Sequence, residues 1–158
     1  MSGMLPDAID ILDPDEKTRY IELLTVLANA DGALVREEIA ALEAFMGRAM
    51  LRPEEREIVR RALRNPPDFE DVVENISEHT LRLALRDSVL LAAADGEYHP
   101  KEIVVLERMA NLVDIDPDVL DKLYDWVTEG WTWLARGRRL LELGIPGDEL
   151  LLGEPDSD

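Results

Sequence analysis

Apolar residues recur along this chain at three- and four-residue steps. Tyr20, Leu23, Leu24, Leu27 and Ala28 form one series, and Ile39, Leu42, Phe45 and Met46 a second. Leu81, Leu85, Val89 and Ala92 form a third, and Ile103, Leu106, Met109 and Leu112 a fourth. Such steps place each set on one face of an α-helix, and no run of alternating β-branched residues competes with them. The pattern predicts an all-α fold: a compact single-domain bundle of about seven to eight helices over residues 1–145.

Prolines, glycines and short polar residues punctuate the pattern. A short helix is expected over 6–12, followed by a long one with Asp13 as N-cap and Pro14 as its first helical residue. Further helices are expected over 36–50 and, from Pro53, to about residue 63, before the breaker "RNPPDF". A short helix over 69–76 then leads into one over 77–94. Pro100 sits at a first helical position, and Asp116 with Pro117 repeats the cap-plus-proline device for a last long helix to about residue 141. The end, "GIPGDELLLGEPDSD", reads as irregular, with residues 146–158 as a flexible acidic tail.

The helical series are not independent. Residues 24–45 laid over 88–109 give nine identities in 22 positions, among them Ala30/Ala94, Asp31/Asp95, Gly32/Gly96, Glu38/Glu102, Leu42/Leu106 and Glu43/Glu107. The apolar identities follow from packing, but packing alone does not demand repeated acids and a repeated glycine. Two helix-loop-helix units, over about 20–50 and 84–113 and related by a pseudo-two-fold, are the expected arrangement.

Within each unit the acids are oddly placed. Asp31 falls at the C-terminal end of a helix, where unpaired carbonyls already carry partial negative charge, so it calls for a compensating donor or cation. Gly32 is read as the left-handed residue that ends the helix, and Glu38 falls in the first turn of the next. Asp95, Gly96 and Glu102 repeat the arrangement. Two readings follow. If the units face each other, Asp31, Glu38, Asp95 and Glu102 converge as an oxygen-only site for a hard divalent ion, Ca²⁺, Mg²⁺ or Mn²⁺ before Zn²⁺. Alternatively, the glutamates reach back to the amides of Val35 and His99 as half of a capping box, and the aspartates bind loop amides, making each motif a helix corner. The six-residue step from glycine to glutamate matches an EF-hand loop, but its first ligand would be Leu27 or Leu91, so neither unit is one.

Composition narrows the field. With 17 basic and 35 acidic residues the net charge is −18, a field that repels nucleic-acid backbones and anionic lipid. The chain has no cysteine, which removes disulfides and thiolate ligands. No apolar run suggests a signal peptide or a membrane span, so a cytoplasmic protein without direct membrane insertion is expected. No nucleophile-histidine arrangement or phosphate-cradling loop is present, and the chain is read as a non-enzyme with no organic cofactor.

Two copies of "ADG" followed by a glutamate, in a helical chain of this size, resemble the TerB-like family of tellurite-resistance proteins over about residues 14–130. That family also includes the N-terminal domain of a membrane-anchored DnaJ-type co-chaperone. The resemblance implies divalent-metal binding at Asp31, Glu38, Asp95 and Glu102. It also implies protein partners, membrane-associated ones among them, in a stress-linked assembly. A metal-free interaction module, using the acidic surface or the tryptophan-bearing last helix, is the alternative.

Other residues are assigned plainer roles. His99 is read as a helix cap before a nitrogen ligand, and His79 as surface. Glu43 and Glu107 lie on another side of the helix from the first glutamates and are read as solvent-facing or ion-paired. Trp126, Trp131 and Trp133 are read first as packing residues and second as a docking face. The basic island "ARGRRL" is matched either to the acidic tail or to a partner.

Overall fold

A computed structural model describes residues 7–32, 34–94 and 96–155. A 3₁₀ turn at Ala8–Ile11 precedes eight α-helices: α1 Pro14–Ala28, α2 Arg36–Arg48, α3 Pro53–Arg64, α4 Phe69–Val73, α5 Glu78–Ala92, α6 Pro100–Leu112, α7 Pro117–Leu140 and α8 Asp148–Leu152. The described residues contain no strand, and the all-α expectation holds. The chain divides into two compact units, residues 1–117 and 118–158.

In the first unit the sequence repeat is matched element by element. α1 and α5 begin and end 64 positions apart, as do α2 and α6, and α3 and α7 begin 64 positions apart at Pro53 and Pro117. The entries correspond too: Asp13 Oδ1 accepts from the Glu16 amide at 2.9 Å, and Ser77 Oγ accepts from the Thr80 amide at 3.1 Å. The exits correspond as well. Met50 and Asp114 both have φ of 54°, while Leu51 N–H donates to Met46 O at 3.3 Å and Ile115 N–H to Ala110 O at 2.9 Å. Each is the 6→1 bond of a Schellman end, in which a left-handed residue turns the chain out of the helix. The backbone repeat therefore extends well beyond the residues that are identical in sequence.

α1 and α5 pack against each other at the centre, with α2 against α1 and α6 against α5. The cross contacts α1–α6 and α5–α2 are also both present, as a pseudo-two-fold exchanging the two halves requires. The central pair is buried on more than one face. On α1, Tyr20, Ile21, Leu23, Leu24, Thr25, Leu27 and Ala28 are all buried, and on α5 the buried set extends to Leu83, Ala84, Asp87, Ser88 and Leu91. A one-face periodicity understates this, because these helices are covered from several directions. α3 and α4 also pack on α1.

The outer helices depart from the expected inward sets. On α2 the buried stripe is Glu38, Leu42 and Met46, whereas Ile39 is 41% exposed. On α6 it is Glu102, Leu106, Met109 and Ala110, and Leu112 is 52% exposed. Four-residue steps lead back from Leu42 to Glu38 and from Leu106 to Glu102, so helix geometry buries the glutamate, and on α2 it turns the neighbouring Ile39 outward while Ile103 on α6 is half-buried.

The second unit contains α7 from Asp118 onward and α8. Its final stretch, expected to be irregular, includes α8, and Asp148 there is the acceptor for Arg138 at 3.1 and 2.6 Å and for the Ile145 amide at 3.1 Å. Arg139 donates to Gly153 O at 2.7 Å. Two arginines of the basic island thus meet the chain's own last residues. The packing role expected of the tryptophans does not hold for two of them, since Trp126 and Trp133 are 43% and 67% exposed.

Candidate functional site

The α1–α2 and α5–α6 loops are built by the same hydrogen bonds. Asn29 N–H donates to Thr25 O, Ala30 N–H to Leu27 O, Gly32 N–H to Asn29 O and Ile39 N–H to Val35 O. Their counterparts are Ala93 to Val89, Ala94 to Leu91, Gly96 to Ala93 and Ile103 to His99. Gly32 and Gly96 have φ of +81° and +91°, the left-handed region in which a Cβ is strained. The repeated glycine is thus a backbone requirement. It does not sit directly after the helix, as the sequence suggested. α1 closes at Asn29, and the Asn29–Gly32 turn intervenes, placing Asp31 three residues beyond the last helical residue, where it is half-buried.

Glu38 and Glu102 are the third residues of α2 and α6, with exposures of 1% and 2%. The Val35 amide donates to Glu38 Oε2 at 3.3 Å, the return arm of a capping box. Valine has no side-chain acceptor, so the forward arm cannot form. In the second loop His99 occupies the Val35 position, is exposed, and accepts from the Lys101 amide through Nδ1 at 3.2 Å. That bond makes His99 the cap expected of it.

The four predicted positions can be placed only in part. Asp31 lies in the first loop, and Glu38 and Glu102 lie in the first turns of the helices that follow the two loops, while Asp95 lies outside the described residues. Among the described residues no group of three or more histidine, aspartate or glutamate side chains is placed to hold a metal ion. The carboxylates of Asp31, Glu38 and Glu102 offer oxygen donors, which suit a hard cation, while His99 is a nitrogen donor in the second loop. Glu43 lies 3.5 Å from Arg60, in keeping with its ion-paired reading, and Glu107 and His79 are exposed.

A second polar cluster, not anticipated from the sequence, lies within the first unit. Asp87 is 2% exposed on α5 and accepts the Tyr20 hydroxyl from α1. Arg86 donates to Asp87 at 2.8 Å and grips Asp7 with two bonds of 2.7 Å. The Arg86 guanidinium holds the Asp7 carboxyl down at about 2, and its own proton is bound more tightly in return, chiefly through Asp7. Burial, then the neighbouring Asp87 charge, pushes the Tyr20 phenol far up. Tyr20 stays neutral and donates. The available signal was Asp87 itself, an acid between Leu83 and Leu91 at four-residue steps on an apolar stripe. This cluster clamps the 3₁₀ turn and α1 to α5.

Two further features bound the possibilities. A cleft of about 630 Å³ beside the start of α1 is lined in part by Asp13, Glu16, Arg19, Glu22 and Glu55, and burial raises the Glu22 carboxyl against the opposing effect of Arg19. No described helix is long and apolar enough to cross a membrane.

No curated protein and no solved structure is significantly similar to the chain. The family model described as Tellurite resistance protein TerB matches residues 17–124, which span α1 through the first turns of α7 and contain both loops. With matching helix boundaries, loop hydrogen bonds and buried glutamates in its two halves, the chain belongs to the TerB family.

Proposed function

We propose that this TerB-family domain binds a divalent cation through its repeated acidic loops, with Asp31, Glu38, Asp95 and Glu102 as oxygen ligands. In this reading it is a cytoplasmic, non-enzymatic component of a stress-response or membrane-associated assembly with protein partners. The observation that supports it most is the burial of Glu38 and Glu102 at equivalent positions. A carboxylate withdrawn from water is costly unless hydrogen bonds and positive charge answer it. Bound there, a hard ion such as Ca²⁺, Mg²⁺ or Mn²⁺ supplies that charge. The chain's own residues hold the loops in shape whether or not an ion is present, through the left-handed glycines and the repeated backbone bonds.

The test is a thermal-shift series on metal-stripped protein, with elemental analysis of the protein as purified. A ligand bound only by the folded state raises the melting temperature with concentration, by about 2.7 kcal/mol of stability at a hundred times its dissociation constant. The expected outcome is a rise with at least one of the hard ions that disappears in Glu38→Gln with Glu102→Gln. No shift with any divalent ion at millimolar level would sink the reading.

A second reading, a metal-free interaction module, is favoured by one observation: the exposure of Trp126 and Trp133 on α7. Large apolar side chains left in water commonly mark contact surfaces. Partner capture that is unchanged by EDTA but lost in Trp126→Ala with Trp133→Ala would select it over the cation site.

A further inference from the structure

The exposed residues of α7 are ordered. Val119, Trp126, Trp133 and Leu140 recur every seven positions and are 40%, 43%, 67% and 83% exposed. Leu123, Gly130 and Gly137 lie between them, also seven apart, and the two glycines are exposed. Together they alternate four- and three-residue steps from 119 to 140, the seam of a two-helix coiled coil. What is unusual is the sorting by size: one row carries the tryptophans and the other carries glycines.

We propose that α7 pairs antiparallel with α7 of a second copy of this chain. In an antiparallel pair each residue of one row faces the other row of the partner helix. Setting Trp133 over Gly130 of the second copy also sets Trp126 over Gly137 and Leu140 over Leu123, because each pair of numbers has the same sum. Every bulky ring then meets a position with no side chain, and the two-fold repeats each match. A parallel pair would instead place tryptophan beside tryptophan and glycine beside glycine in the same layers.

Charge supports the same direction. Asp118, Asp121, Asp125 and Glu129 all precede Gly130 on α7, whereas Arg136, Arg138 and Arg139 follow it, with no acid among residues 130–140. Glu129 and Arg136 flank the seam one heptad apart and are both exposed. Seven residues of helix separate them by about 10 Å, too far to pair within one copy. In the antiparallel register Glu129 of each copy faces Arg136 of the other, twice over. Arg138 and Arg139 already meet Asp148 and Gly153. The helix dipole accounts for acids first and bases last, but it does not account for glycines opposite tryptophans.

The full chain is examined by sedimentation equilibrium at about 0.15 M salt, where repulsion between two acidic bodies is screened beyond about 8 Å. The expected result is a dimer indifferent to EDTA, which separates this proposal from the cation site. Glu129→Arg and Arg136→Glu should each weaken association about tenfold or more by facing like charges. The double reversal should restore it, which no effect confined to one copy predicts. Gly130→Leu, which fills the receiving position on a helix it otherwise favours, should also give monomer with unchanged helicity by circular dichroism. A chain that stays monomeric at about 100 μM, or a dimer unmoved by these reversals, overturns the proposal.

Discussion

Glu38 and Glu102 are buried at the same point of two equivalent helices, each four residues before the leucine that heads its core stripe. An acid in a core position is destabilising unless it serves the fold as a cap or the function as a ligand. In the absence of divalent ions, Glu38→Gln and Glu102→Gln separate these contributions. Glutamine keeps the size and removes the charge. If burying charge dominates, each variant is more stable than the parent without divalent ions, and urea unfolding in EDTA reads the difference. If the capping contact dominates, Glu38→Gln is less stable by about 0.5–2 kcal/mol.

The loop glycines allow a cleaner test of backbone strain. An added Cβ at Gly32 or Gly96 meets nothing within 4 Å, so the cost of Gly32→Ala or Gly96→Ala is that of a left-handed φ alone, about 1 kcal/mol each. Met50 and Asp114 are left-handed without being glycine. Met50 is 70% exposed, so Met50→Gly forfeits little packing and should stabilise by about 1 kcal/mol. Gly47, helical and equally open, should gain about 0.5 kcal/mol as alanine. Chemical denaturation of the four variants would give all these signs in one series.

Acid should loosen the Asp7 clamp. The folded carboxyl titrates near 2, below its ordinary value of 3.8, so its stabilisation is present above the unfolded value and is lost as pH falls through the folded one. Because Asp7 and Arg86 keep 31% of their side-chain surface, the full linkage value is discounted to about 1 kcal/mol. Measured across pH 7 to 2, the stability gap between the parent and Asp7→Asn should close below about pH 4. A gap constant down to pH 2 would show that the bond to Arg86 does not act through charge.

The Tyr20–Asp87 bond joins the two central helices. Tyr20→Phe leaves Asp87 buried with one fewer donor and should cost about 1–3 kcal/mol. Asp87→Asn should cost a similar amount, and the double variant less than the sum, with a coupling of about 0.5–3 kcal/mol. Additive losses in that cycle would mean the two side chains contribute independently.

Much of this protein was legible in one dimension. Apolar steps with Asp13, Pro14, Pro53, Pro100 and Pro117 located the helices, since capping and periodicity are local and depend on residues within one or two turns. The double "ADG" showed where left-handed glycines are needed, again a property of a few adjacent bonds. Identity at residues 24–45 and 88–109 revealed a duplication, though not its extent, because the same exit turns are made by Met50 and Asp114, which share no chemistry.

Tertiary structure decided the rest. Whether Ile39 or Glu38 enters the core depends on which side of α2 meets its neighbours, because the two residues border the Leu42–Met46 stripe from opposite sides. Asp87 found Tyr20 across 67 positions of sequence, and Asp7 found Arg86 across 79, because packing α1 and the 3₁₀ turn on α5 creates proximity that no local rule contains. The tryptophans read as packing residues for the same reason. Their sequence shows hydrophobicity and spacing, but only the arrangement of the other helices decides which of them remain in water.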